Sequence, residues 1–242
     1  MDALEFLDDR GYVALPGLFA SDEVEAMSHG LDGRLAVDDA AVRSGDAVYA
    51  ARDLLRLCPA VIDWWRKPAL MEFVCAVLGE EAGLVRGLLF DKPPEQTWAV
   101  PWHKDRSIVI QPPARVSERY SPPRCKAGLW HCEPPESVQE RMLSLRIHLD
   151  PSTAENGPLS VIAGSHRPGH HGEVVCLTAN RGDVLAMRPL IDHSSPRSAP
   201  GSMMHRRVIH LEFAADPQLP DGYRWHEFHP VRSLAAVPVE AA

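Results

Sequence analysis

From residue 83 onward the sequence is cut into short apolar segments with nothing of helix length between most of them. They read "GLVRGLLFDK", "TWAVPWHKDRSIVI", "MLSLRIHLD", "GPLSVIAGSH", "GEVVCLTA", "GDVLAMRPLIDHSS" and "RRVIHLEFA". Each is rich in Val, Ile, Leu or aromatic residues and bounded by Gly, Pro or Asp, the composition and punctuation of strands. A parallel sheet needs a long crossover, usually a helix, between consecutive strands. The spacing argues against one. The segments predict many short antiparallel strands forming a sandwich or jelly roll.

The N-terminal third has a different period. Ser21 stands where it can cap a helix whose first turn carries Asp22 and Glu23, acids favoured by the helix dipole. Pro68 can open a second helix. Its stripe of Leu70, Phe73, Val74, Val77 and Leu78 has helical spacing, and Gly79 can end it. Such helices need an apolar surface to cover. The chain is therefore expected to be mainly β, with the N-terminal helices packed on one sheet. A length of 242 residues suits one domain spanning 1–242. Residues 111–141 hold six prolines and no clear period, so they are expected to form a lid or substrate loop. Residues 231–242 are expected to be a frayed tail.

The net charge of −8 argues against nucleic acid as the main partner, because phosphate binding needs a basic surface. No apolar run approaches membrane-spanning length. The N-terminus carries Asp2, Glu5, Asp8 and Asp9 and lacks the pattern of a signal peptide. The five cysteines have no CxxC spacing and read as reduced thiols. These features lead to the expectation of a cytoplasmic protein that acts on a small molecule, with no membrane or nucleic-acid partner.

One strand-like segment carries chemistry. In "VPWHKDRSIVI", His103 and Asp105 are two residues apart, and on a strand such residues share a face. They form either a hydrogen-bonded structural pair or part of a metal site. His193, in "RPLIDHSSPRS", is the candidate third ligand from a distant strand. Two histidines and one carboxylate form the facial set of non-heme Fe(II) oxygenases, which leaves positions open for a chelating cosubstrate and O2. Arg206 and Arg207 follow, and the planar arginine fork matches a carboxylate. Neighbours on a strand point to opposite faces, so only one can reach a cosubstrate. The more polar row of Arg206, Val208, His210 and Glu212 suits a cavity; the apolar row with Arg207 suits the helical layer. His166 and Asp183 read more simply as turn and packing residues.

Together these segments make the chain resemble the phytanoyl-CoA dioxygenase (PhyH-like) family of Fe(II)- and 2-oxoglutarate-dependent oxygenases, in particular its small bacterial members. The resemblance runs through "LLFDKPPEQTWAVPWHKD", "KAGLWHCEPPESVQERMLSLRIHLD", "AENGPLSVIAGSHRPG", "RGDVLAMRPLIDHSS" and "RRVIHLEFA", in family order. It implies a double-stranded β-helix, the cupin-like jelly roll. It implies that His103, Asp105 and His193 are the catalytic iron ligands and that Arg206 and Ser195 hold 2-oxoglutarate, with Arg52 nearby. It further implies hydroxylation of a small-molecule substrate with O2, release of succinate and CO2, and ascorbate as the reductant in vitro. Within the proline-rich loop, Trp130, His131 and Glu133 are the candidate substrate contacts. The rival expectations are a non-catalytic jelly-roll binding protein and a cupin-type metal enzyme that uses no 2-oxoglutarate.

Overall fold

The computed structural model describes residues 1–35, 41–44, 47–94, 97–113, 115–170 and 172–232. The chain opens with α1 (Ala3–Arg10), β1 (Tyr12–Leu15) and α2 (Ser21–Leu35). A hairpin, β2 (Ala41–Ser44) and β3 (Ala47–Ala51), leads to α3 (Leu54–Leu57), α4 (Val61–Trp64) and α5 (Pro68–Leu78). Then come β4 (Gly83–Lys92), β5 (Val100–His103), β6 (Ile108–Ile110), β7 (Arg124–Lys126), β8 (Leu129–Cys132) and the single turn α6 (Glu136–Gln139). The rest is β9 (Met142–His148), β10 (Leu159–Ile162), β11 (Val174–Leu177), β12 (Val184–Met187), β13 (His193–Ser195), β14 (Arg206–Ala214) and β15 (His229–Pro230).

The strands make a large sheet in the order β1-β12-β9-β14-β4-β3-β2, with β15 beside β4. A smaller sheet has the order β11-β10-β13-β5, and a third has β6-β8-β7. The pairings are antiparallel, as the short segments require. This is the double-stranded β-helix with helices on one face. The outward rows of the large sheet are Leu143, Leu145 and Ile147 on β9 and Ile209, Leu211 and Phe213 on β14. They share one core with Val24, Leu31, Val61, Trp65, Leu70 and Val74 of the helical layer. Each such side chain removed from water contributes roughly 1.5–3 kcal/mol. The ring of Trp65 meets that of Phe213 edge-on at 4.7 Å.

Local differences have local causes. The helix predicted at Ser21 begins there, but its end is satisfied by Glu23, whose carboxylate accepts from the Ala20 backbone N–H at 2.8 Å. Gly79 ends α5 with a φ of 95°, where a Cβ is disfavoured. Residues 111–141 are not an aperiodic loop. Cys125 pairs with Trp130 in a β7–β8 hairpin, and β8 pairs with β6, a hairpin hidden in the sequence by its flanking prolines. The expected frayed tail starts too early at 231. Val231 is buried, and its N–H donates to the Ala82 carbonyl. Residues 233–242 lie outside the described residues.

Candidate metal and cosubstrate site

The segment expected as one strand breaks after His103. β5 ends there, and Asp105 sits in the connection to β6, with its N–H donating to the Pro189 carbonyl at 2.9 Å. The pair therefore meets through a loop and not through strand alternation. Ile108–Ile110 departs to a different sheet. His193 faces His103 directly across the β13–β5 pairing. The three side chains come together, with Asp105 Oδ1 3.6 Å from His103 Nε2 and Asp105 Oδ2 3.6 Å from His193 Nε2.

Both imidazoles are held in one tautomer. His103 Nδ1 lies 2.8 Å from the Pro101 carbonyl and His193 Nδ1 lies 2.9 Å from the Ile191 carbonyl. A carbonyl only accepts, so each Nδ1 carries the proton and each Nε2 lone pair is turned toward Asp105. Burial is the largest influence on His193 and lowers its pKa. Burial alone would raise the Asp105 carboxyl, but His193, His210, His103 and Arg146 outweigh it and hold the group below its ordinary value. Two imidazoles and one carboxylate, all ligand atoms within 4.8 Å of one another, fit Fe(II).

The cavity beside the triad is lined by Phe90, Trp98, Arg146, Ser195 and Arg206, among others. Arg206 lies buried on the inner row of β14; its Nε and Nη1 have no partner among the described residues. Burial and the charge of Arg146 lower its pKa to about 9, so it stays cationic at neutral pH. Arg207 faces the other way, where its Nε donates to Asp150 at 2.9 Å. Ser195 reaches the cavity, but its hydroxyl donates to the Gly157 carbonyl at 2.9 Å and accepts from Lys92 Nζ at 2.7 Å.

Lys92 and Arg146 were not singled out by the sequence. Lys92 is fully buried at the end of β4, 5.6 Å from the centre of the Trp98 ring, and also donates to the Pro196 carbonyl. Burial, with Arg206 and Arg146 adding to it, lowers its pKa to about 7. Strand register could have found both residues, since Lys92 pairs with Arg206 and Arg146 pairs with His210.

Other expected contacts lie elsewhere. Arg52 is exposed at the end of β3 and does not line the triad's cavity. His131 and Glu133 line a separate surface cavity with Ser107, Ser121 and Arg124, and Trp130 packs on a core with Ile108 and Trp225. His166 reaches the Asp8 carbonyl at 3.1 Å, and Asp183 accepts from the N–H groups of Gly17 and Asn180, both structural roles. A second ligand-like group, Asp53, His226 and Glu227, is already engaged in part: Arg56 holds Asp53 at 2.8 Å and His229 holds Glu227 at 2.9 Å. A groove of about 640 Å³, lined by Arg141, Asp216 and Trp225 among others, contains no triad residue.

A jelly roll with a His–Asp–His cluster beside a cation-lined cavity is the build of a non-heme iron oxygenase. The chain belongs to the phytanoyl-CoA dioxygenase (PhyH) family, whose model matches residues 7–203, and is an oxidoreductase of that family. Solved structures share the fold. AviO1 from Streptomyces viridochromogenes Tue57 is 23% identical, with 91% of this chain and 96% of that chain covered and a TM-score of 0.63. EctD from S. alaskensis with 2-oxoglutarate and 5-hydroxyectoine is 21% identical, with 87% and 74% covered and a TM-score of 0.66. EctD has also been solved with bound Fe. SnoK, a non-heme alpha ketoglutarate dependent carbocyclase from nogalamycin biosynthesis, is 17% identical, with 89% and 83% covered and a TM-score of 0.65. No curated protein matches the sequence. Among the described residues, no helix is long and apolar enough to cross a membrane.

Proposed function

We propose that this chain hydroxylates a small-molecule substrate, with His103, Asp105 and His193 holding Fe(II) and with Arg206 anchoring 2-oxoglutarate. The observation that carries this reading is the pair of partnerless donors on buried Arg206, beside a triad whose two histidines are both locked with Nε2 free. Arg206 is a cation and Lys92 an amine lowered to about 7 in one buried corner, and a dianionic cosubstrate would supply their countercharge.

Bound together, Fe(II) and 2-oxoglutarate supply the power to activate O2, with release of succinate and CO2. The protein's own groups position and shield. Nδ1–H bonds to the Pro101 and Ile191 carbonyls fix the two imidazoles. Arg206 receives the far carboxylate through two donors of its fork. Ser195 braces Lys92, whose charge is drawn out when an anion arrives. Phe90 and Trp98 wall the cavity and exclude water. Asp105 would supply the carboxylate of the metal set, which favours hydroxylation over halogenation. The unpaired cysteines suit a reducing, cytoplasmic setting.

The test is turnover of 2-oxoglutarate with Fe(II), ascorbate and O2. Succinate is expected to accumulate slowly even without prime substrate. Iron binding without succinate formation or 2-oxoglutarate binding would instead support the cupin-type or binding-protein alternatives.

A further inference from the structure

A third buried cation, Arg146, faces the same cavity from β9, between Ser144 and His148 on the inner row. It is 5% exposed. Its Nη1 lies 3.0 Å from His210 Nδ1, its guanidinium carbon lies 5.7 Å from the centre of the Phe90 ring, and its Nε has no partner. Among the described residues no carboxylate is within ion-pair distance of it. Glu212, the nearest acid on the inner row of β14, is taken by Arg86 at 3.2 Å.

Arg146 lies at a different level of the same cavity from Arg206, near enough for its charge to lower the Arg206 pKa. It pairs with His210, four residues beyond Arg206 on β14, which puts roughly 13 Å of strand between the two levels. Asp105 feels both Arg146 and His210, so the triad lies near this second level. A cosubstrate anchored at Arg206 would be held at the other level, and Arg146 Nε has no partner among the described residues. The charges agree. Fe(II) and the 2-oxoglutarate dianion cancel, Asp105 offsets one cation, and the cavity keeps a positive excess.

Resting on the iron and 2-oxoglutarate reading above, we propose that Arg146 is the anchor of the prime substrate and that this substrate is a small carboxylate. Its free guanidinium edge can take a carboxylate in charge-assisted hydrogen bonds, while His210 and Phe90 hold the group in place. A neutral amide of the same shape lacks the charge to match it. Arg146 thus acts as a specificity-determining residue rather than as a second clamp for 2-oxoglutarate.

The test uses protein loaded with Mn(II) and 2-oxoglutarate, titrated with propionate, butyrate, benzoate and phenylacetate and with their primary amides. Paramagnetic broadening of the probe's NMR lines reports only molecules near the metal. Each acid is expected to bind about tenfold more tightly than its amide. Arg146→Gln should erase that preference while lowering 2-oxoglutarate affinity far less than Arg206→Ala does. Arg146→Lys, which keeps the charge, should retain part of the preference. Equal binding of acids and amides by wild type overturns the proposal, as does a preference that survives in Arg146→Gln. A loss of 2-oxoglutarate affinity in Arg146→Gln as large as that in Arg206→Ala also overturns it, since Arg146 would then be a cosubstrate clamp. Wild type that binds neither Mn(II) nor 2-oxoglutarate sinks the underlying function instead, and that is read before any acid is added.

Discussion

Arg206 and Arg207 are consecutive in β14 and serve opposite sides of the large sheet. Arg206 points into the cavity with Nε and Nη1 unpartnered, and Arg207 points outward into a two-point contact with Asp150, at 2.9 and 3.0 Å. Arg206→Ala is expected to raise the KM for 2-oxoglutarate about 30-fold or more, since a partly buried charge-assisted contact contributes on the order of 2–3 kcal/mol. Arg207→Ala should change that KM less than about threefold. Steady-state 2-oxoglutarate consumption separates the two, and the reverse order would contradict the faces assigned here.

The Asp150–Arg207 contact is expected to show in acid stability. Burial raises the Asp150 carboxyl, but hydrogen bonds and charge from Arg207 lower it further, to a net value below the ordinary 3.8. A carboxyl depressed in the fold stabilises above its unfolded value and loses that contribution as pH falls through its folded value. Asp150→Asn should therefore be less stable than wild type by about 1–3 kcal/mol at pH 7. The gap should close below pH 3.8. Urea unfolding from pH 7 down to 3 measures it, and a gap that persists unchanged at pH 3 would rule out this pair as the cause.

Lys92 should make cosubstrate binding pH-dependent. Its pKa is lowered from 10.5 to about 7, and a bound dianion would draw it back up. Below pH 7 the ammonium is already present and binding takes up no proton. Above pH 7 binding must protonate it, so affinity should fall as pH rises, by at most about tenfold per unit. Calorimetric titration of Mn(II)-loaded protein with 2-oxoglutarate at pH 6.5, 7.5 and 8.5 should show this slope. In Lys92→Met the slope should disappear; a slope of equal size there would assign it to another group.

For the metal, purified protein is expected to bind about one Fe(II), or Mn(II) in its place, per chain. Asp105→Ala and His193→Ala should each weaken binding by at least about 100-fold, more than loss of an outer-shell partner typically costs. Metal analysis after dialysis against a weak chelator gives the readout. His193→Ala that keeps full occupancy would show that the ligand set is misassigned.

Much of this was legible in the chain. The apolar segments after residue 83 carry their own turn signals, and α5 carries its start at Pro68 and its stop at Gly79. The order His103, Asp105, His193, Arg206 could be read because each residue interrupts or follows a segment that is otherwise apolar. Residues 124–132 were misread because the hairpin's strands are only three and four residues long and rest on β6, a contact made by the fold and invisible to local pattern.

By itself, the sequence determined which residues alternate, and hence that Arg206 and Arg207 part company. It also determined that the helices have an apolar side to bury, because periodicity is a property of adjacent residues. Only the tertiary structure decided what each face looks at. "LSLRIHLD" alternates like a strand with one wet side, yet Arg146 and His148 are both buried, Arg146 lining the cavity and His148 alongside it on the inner row. Lys92, which nothing in the local pattern marks, is buried at a strand end where β13 places Ser195 against it. Arg52, a plausible cosubstrate contact by position, ended outside. A charged side chain is ordinarily exposed because desolvation is costly. The exceptions arise where two distant sheets close over a shared cavity, and no stretch of adjacent residues records that closure.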